Sequence, residues 1–539
     1  MRKLISCCIL ISFLASCAQI LTPGGGPKDT KPPRVLKYSP DSAATNFKGK
    51  KIVIHFDEYV QLTDLNNQLI ISPPMNDAPD VNIRKKDIVI DLKDSLLPNT
   101  TYTISFGNSI RDITENNILD NFRYVFSTGP VIDSLKISGK VSSAATLNGE
   151  KGIDVMLYRT LGDSVPLKQK PYYFTKTRAD GTFQFTNLKA GTYKLFALDD
   201  RNSDYLYNNT EERIAFANDP IVLNANIDTL NMYLFREDPK KQKLLKSTQT
   251  GLGRFEFVYA LPMKNPKVSV ESSLPSKAEM YTENSRNGDS INVWINNFTG
   301  DSITFQIEDS RTILDTVRMA MTKPSNKHSR GQVFTEDSRK LKLGCNTNLG
   351  SIFDLGKPLV IVANNPLKSF NAKDFILMRG KDTLKTDISL SENKRSLSFS
   401  YVFEEDSSYS LFVKPGAATD CFGQKNDTLK SKFKIQEANY YGTLSVKLTG
   451  LPAGNYILKL VNEKDEIIRE QKISDQPSAK FEMLSPGIYR LKLIADENKN
   501  GRWDSGNYMQ HRQPEKVIYY VNPVKMRSGW DMDVEWIFK

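Results

Sequence analysis

The chain has 539 residues, a formal charge of +11 from 73 basic against 62 acidic side chains, and a hydrophobic fraction of 39%. That length exceeds what one core organises, so several domains are expected, and no apolar run after Leu14 is long enough to span a bilayer as a helix. His55, His328 and His511 stand apart from one another and from any cysteine, which argues against a zinc site; with no G-x-S-x-G, P-loop or H-E-x-x-H, catalysis has no local signature.

The first element is a short N-terminal segment. Arg2 and Lys3 supply a positive start, residues 4–14 an apolar stretch, and Leu14, Ala15, Ser16 and Cys17 close it. The last four residues resemble the lipobox of bacterial lipoproteins, in which the cysteine receives diacylglycerol and the preceding peptide is removed. The resemblance implies a chain that starts at Cys17 and is held to a membrane outside the cytoplasm by its acyl chains. Residues 22–33 are rich in proline and glycine and read as an extended tether. Their order Pro-Gly-Gly-Gly-Pro-Lys-Asp also resembles the start of Bacteroides-type outer-membrane lipoproteins. The basic excess is spread along the chain, and Lys240, Lys241, Lys243 and Lys246 fall in an expected linker. Weak attraction to anionic headgroups or envelope polymers accounts for it without nucleic acid.

Strand signals dominate from there. Residues 51–56, 88–92, 102–106 and 122–126 are short β-branched or aromatic runs between turn residues, and no long segment has helical periodicity. The fold class expected is all-β, built of tandem β-sandwiches. Two internal repeats support it. Phe185, Leu188, Gly191, Tyr193 and Leu195 recur without a gap as Phe481, Leu484, Gly487, Tyr489 and Leu491, and the match runs on into acidic loops at 200–204 and 496–500. Residues 97–106 recur as 405–413, each followed by an Asp-containing loop and a closing strand. The order is a two-domain unit, a strand-rich insert, and the same unit again.

The first member of the unit resembles the bacterial Ig-like domain of surface-layer and envelope proteins. The residues that carry the likeness are Ser39-Pro40-Asp41, the 52–57 run, Leu97-Pro98-Asn99 with Tyr102, Arg111-Asp112 and the 122–128 strand. The second resembles the carboxypeptidase-regulatory-like, or transthyretin-like, β-sandwich. It shows Gly139, the 152–157 run, Asp180-Gly181 at a hairpin turn, and Phe183 and Phe185 on one buried face. The partition is a signal at 1–17, a tether at 18–33, an Ig-like domain at 34–130 and a regulatory-like sandwich at 131–236. A linker at 237–250, a strand-rich segment at 251–340, a divergent Ig-like domain at 341–437 and a second regulatory-like sandwich at 438–539 complete it.

Candidate chemistry concentrates in the two acidic loops. Asp496, Asn498, Asn500, Gly501 and Asp504 follow the start of the calcium-loop pattern D-x-[DN]-x-[DN]-G, but Asn507 stands where an EF-hand has its bidentate Glu. Asp200, Asn202, Asp204, Asn208 and Glu211 keep the oxygens, with Tyr205 in place of the glycine. A structural Ca²⁺ and a polar loop whose side chains cap their own backbone are the two readings. Trp503 and Tyr508 lie in loops where exposed rings would offer a glycan platform, whereas Trp536 and Phe538 read as core. Outside the signal and Cys17, only Cys345 and Cys421 remain, and they either pair or stay separate thiols. The function expected is a lipid-anchored, non-catalytic binding or scaffolding module of the outer membrane whose partners are envelope proteins or glycans. The uncharged residues 18–22 favour the periplasmic side, and a surface glycan-binding or adhesion lipoprotein is the competing reading.

Overall fold

A computed structural model describes residues 29–321 and 340–538, apart from 76, 94, 203, 209, 210, 240, 272, 273, 276, 299, 348, 475 and 476. Cys17, the lipobox, most of the tether and His328 lie outside the described residues. Strands account for 51% of the chain and helix for 4%, so the protein is all-β. No helix among the described residues is long and apolar enough to cross a membrane. The chain divides into two compact units near residue 234.

The first unit holds domains I and II. Domain I packs a four-stranded sheet, in the order Val35–Ser39, Lys51–Phe56, Asp87–Asp91, Asp80–Arg84, against a three-stranded one, Ile70–Ser72, Thr101–Gly107, Phe122–Ser127. Alternation builds the core: Ile52, Ile54 and Phe56 point in from one strand, and Tyr102, Ile104 and Phe106 from another. Each such side chain contributes about 1.5–3 kcal/mol by leaving water. The Arg111-Asp112 signature has a structural role. Asp112 accepts hydrogen bonds from the backbone N–H groups of Glu115, Asn116 and Asn117 and so closes the loop before the last strand.

Domain II sets Leu135–Ser143 antiparallel to Thr182–Leu188 and parallel to Ile227–Leu234. A second sheet runs Tyr173–Lys176, Asp154–Tyr158, Gly191–Leu198, Ile214–Phe216. Phe183 and Phe185 are both buried, with ring centroids 6.0 Å apart. Domain II rests on the outer face of domain I's three-stranded sheet. Ile70, Ser72, Thr103, Ser105 and Arg123 meet Phe174, Thr175, Gln184 and Thr186 there. Phe174 N donates to Ser72 Oγ at 3.2 Å and Arg123 Nη1 to Thr186 Oγ1 at 3.1 Å. Burial lowers the pKa of the Arg123 guanidinium, with Arg178 adding to the effect.

The second unit holds three sandwiches. Domain III corrects one expectation and fills out another. The segment expected as a linker contains Leu244–Gly251, which is a strand paired with Arg254–Tyr259. Lys246 and Thr250 are exposed on this edge strand, and Leu245 and Ser247 are exposed as well, which hides its alternation in the sequence. The strand-rich segment is a complete sandwich around Phe255, Phe257, Ile291, Val293, Phe305 and Ile307. Domain IV repeats domain I, with Leu359–Ala363, Ser396–Ser400 and Asp387–Leu390 facing Phe375–Arg379, Ser408–Val413 and Leu429–Ile435. Asp420 closes its loop as Asp112 does, accepting from Phe422 N and Gln424 N. Domain V repeats domain II. Gly442–Thr449 lies between antiparallel Ser478–Leu484 and parallel Asp531–Ile537, and Ile467–Ile473, Tyr456–Val461, Gly487–Ala495 and Val517–Tyr519 form the other sheet.

Polar contacts tie these three together. Arg395 pairs with Glu283 at 2.5 Å, Lys368 with Glu279 at 3.0 Å, and Asn296 Nδ2 donates to Cys421 O at 2.6 Å. Tyr441 Oη donates to Asp354 at 2.8 Å where domain V leaves domain IV.

Candidate functional site: the paired acidic loops

Both loops start five residues after the leucine of the same Gly-x-Tyr-x-Leu strand, Leu195 or Leu491, and their leading aspartates do the same work. Asp496 accepts from Asn500 N at 3.0 Å and Gly501 N at 2.9 Å; Asp200 accepts from Asn202 N at 3.2 Å and Tyr205 N at 2.7 Å. Gly501 has φ 79° and Tyr205, at the matching position, φ 63°. The left-handed turn therefore survives replacement of glycine. Its steric cost falls on a tyrosine whose ring sits 4.9 Å from that of Phe174.

The remaining oxygens converge on an Asx network. In domain V, Asp504 Oδ2 accepts from Asn500 Nδ2 at 2.5 Å and from Asn498 Nδ2, while Asn498 and Asn500 take the backbone N–H groups of Asn500 and Arg502. In domain II, Asp204 Oδ2 accepts from Asn202 Nδ2 at 3.0 Å and Asn208 Nδ2 at 2.5 Å, and Asp204 Oδ1 from Leu206 N at 2.8 Å. Each network closes on one aspartate oxygen that takes two asparagine amides. No group of three or more His, Cys, Asp and Glu among the described residues could hold a metal ion.

Two loop residues named from the sequence have different places. Asn507 caps the Tyr508–Gln510 turn by accepting from Gln510 N at 3.0 Å, and Glu211 is exposed. The acid that closes each loop is Glu515 in domain V and Glu212 in domain II, 7% and 0% exposed. Glu515 accepts from Glu497 N and Asp504 N, both at 2.9 Å; Glu212 accepts from Asn208 N at 3.3 Å. Each stands two residues before the strand that pairs next, Val517–Tyr519 or Ile214–Phe216. Aligning the repeats from that downstream strand would have revealed the pair. A seven-residue difference in loop length hides it from an alignment run forward from Asp200 and Asp496. Burial raises the Glu515 pKa, against the lowering effect of its two N–H donors.

The other candidates are not assembled with the loops. Tyr508 is buried, with its backbone N donating to Glu237 at 2.5 Å, and Trp503 is half-buried with Nε1 donating to Glu515 O at 3.0 Å. They do not form an exposed glycan platform. Trp536 is in the core, stacked on Phe538 at 5.0 Å. Cys345 and Cys421 are both free. The first lies 3.3 Å from Thr347 Oγ1, and burial pushes the Cys421 thiol up to about 12, far from a nucleophile's range.

Residues 29–128 match the bacterial Ig-like domain family, and residues 134–227 match the second β-sandwich domain of BOS complex subunit NOMO1-like proteins. No curated protein matches. Among solved structures, the S-layer protein rSbsC is 10% identical over 92% of this chain and 67% of its own, with a TM-score of 0.14. The Bacillus anthracis TIE protein is 11% identical over 96% and 76%, with a TM-score of 0.14. The Bacteroides ovatus mixed-linkage glucan utilization locus protein SGBP-B, in complex with a heptasaccharide, is 10% identical over 64% and 86%, with a TM-score of 0.18. No enzyme family is among the matches. The chain is an all-β protein of β-sandwiches in tandem, Ig-like domains among them.

Proposed function

We propose that this protein is a non-catalytic scaffold of a bacterial outer membrane, attached by lipid at Cys17 and facing the periplasm. The observation that supports it most is the lipobox Leu14-Ala15-Ser16-Cys17 behind a basic and apolar leader. Several acyl chains at about 0.8 kcal/mol per buried methylene would give a durable anchor, and the proline- and glycine-rich residues after it would lift domain I off the lipid. The acidic loops serve this role as latches: Glu212 and Glu515 hold long connections against their sandwiches. The partners fitting such a scaffold are envelope proteins, met on exposed sheet faces and edges.

The competing reading is a surface lipoprotein that binds glycan or mediates adhesion, for which the half-exposed Trp530 is one available ring. Protease treatment of intact cells separates the two. Protection until the outer membrane is permeabilised supports the periplasmic scaffold, and cleavage on intact cells supports the surface reading.

A further inference from the structure

The two copies of the Ig-like domain use the same sheet face differently. Register fixes the equivalence: Thr103 pairs with Ser72 and Val125, as Ser410 pairs with Met378 and Lys432. Ser105 pairs with Ile70 and Arg123, as Phe412 pairs with Ile376 and Lys430. In domain I this face is the seat of domain II. In domain IV it carries Lys430, Lys432 and Lys434, all exposed, beside the half-buried Ile376, Met378 and Phe412. The lysines replace Arg123, Val125 and Ser127, and two serines of the seat have become methionine and phenylalanine. A face that only met water would gain nothing from the latter change.

Domain V shows the complement. Its strand Asp531–Ile537 presents Asp531, Asp533 and Glu535, all exposed, on the outer face of its three-stranded sheet. In domain II, Asn231 pairs with Lys140 where Glu535 pairs with Lys447, so this acidic row also belongs to the second copy alone. Both rows place a charge at every second residue of a strand, a spacing of about 6.6 Å. Three lysines and three carboxylates therefore match one to one when the strands are laid face to face. Local partners leave both rows accessible: Lys434 is held by Asp406, Lys430 lies 5.6 Å from the Phe412 ring centroid, and Glu535 accepts from Thr449 Oγ1 at 2.6 Å and pairs with the exposed Lys447 at 3.5 Å, leaving Asp531 and Asp533 as the freer members of the acidic row.

We propose that a second copy of this chain docks on domain IV, its Asp531/Asp533/Glu535 row seated on the Lys430/Lys432/Lys434 row. The contact joins two different surfaces, so it generates a ring or an open chain of molecules rather than a simple two-fold pair. This deepens the scaffold reading, since anchored copies linked this way form an array. It is tested without a membrane, so its failure leaves the lipid anchor standing.

The experiment is sedimentation of the chain from residue 18 onward. Association is expected at about 100 μM protein in low salt, and loss of it near 0.5 M salt, where the Debye length falls to roughly 4 Å. Lys430→Glu/Lys432→Glu/Lys434→Glu and Asp531→Lys/Asp533→Lys/Glu535→Lys should each weaken association by about tenfold or more. Mixed in equal amounts, the two variants should associate again, through the reversed rows and through the wild-type row that each retains. Circular dichroism establishes that each variant is folded; if the second is not, Asp531→Asn/Asp533→Asn takes its place and the mixing arm uses Lys432→Asn. A monomer under all conditions, association untouched by both variants, or a mixture that stays monomeric overturns the proposal. So does binding of phosphatidylglycerol vesicles, lost in the lysine variant, by a chain that does not self-associate, because the face then meets lipid.

Discussion

Replacing Glu515 with alanine removes the acceptor that holds both ends of the domain V loop. Its two oxygens take Glu497 N and Asp504 N at 2.9 Å, and the side chain is 7% exposed, so water does not readily replace it. Stranding the buried Asp504 N–H costs about 1–3 kcal/mol, whereas the Glu497 N–H lies nearer water and loses less. The substitution should therefore lower the stability of domain V by about 2–3 kcal/mol, and Glu515→Gln, which keeps one acceptor oxygen, by about half of that. The assay is built into the chain. Three of its four tryptophans, Trp503, Trp530 and Trp536, lie in domain V, so urea unfolding followed by tryptophan fluorescence reports that domain. A loss below about 0.5 kcal/mol for Glu515→Ala would refute the latch, since that is the range of surface substitutions without a structural role. The same titration with millimolar calcium and with a chelator should give one midpoint. A midpoint that rises with calcium would show that an ion, not Glu515 and the asparagine amides, organises the loop.

Three further outcomes are expected. Burial pushes the Asp154 pKa from 3.8 to about 6, against Lys176 at 3.2 Å, with Asp200 and Asp199 adding to the rise. A raised carboxylate favours the protonated folded state, so domain II should lose roughly 3 kcal/mol as pH climbs from about 4 to 6 and level off above. Hydrogen exchange of the Asp154–Tyr158 strand measures this, and Asp154→Asn should flatten the slope; an unchanged slope contradicts the assignment. Phe305→Ala empties the centre of domain III, where Phe255 and Phe257 lie 4.9 and 5.1 Å away, and should cost about 3–5 kcal/mol, read as faster proteolysis within residues 244–320. Arg123→Ala removes the hydrogen bond to Thr186 across the contact between domains I and II and should speed cleavage of the 129–134 connection while the two cores remain protected.

Much of the fold was legible because alternation and turn chemistry agreed along most of the chain. Ile52, Ile54 and Phe56 announced a half-buried strand, and the Phe-x-x-Leu-x-x-Gly-x-Tyr-x-Leu repeat announced the duplication. Domain III was only partly visible, because Lys246, Ser247 and Thr250 are exposed on Leu244–Gly251 and give it the composition of a linker. The loops were located correctly, but their closing acids were not. Glu212 and Glu515 act through backbone N–H groups, an interaction with no fixed sequence spacing, whereas an EF-hand pattern counts forward from its first aspartate. Ring exposure was likewise not readable from loop position: Tyr508 sits in a loop and is buried because residues 235–237 lie across it.

The most direct test of the anchored-scaffold account is the state of Cys17 in the mature protein. Mass spectrometry of the N-terminal peptide, with fractionation of wild type and Cys17→Ala side by side, reads it. The account predicts a mature chain that begins at an acylated Cys17 and sediments with the outer membrane, and a Cys17→Ala protein released from it. An unmodified cysteine, or a Cys17→Ala protein still fully membrane-bound, would contradict it.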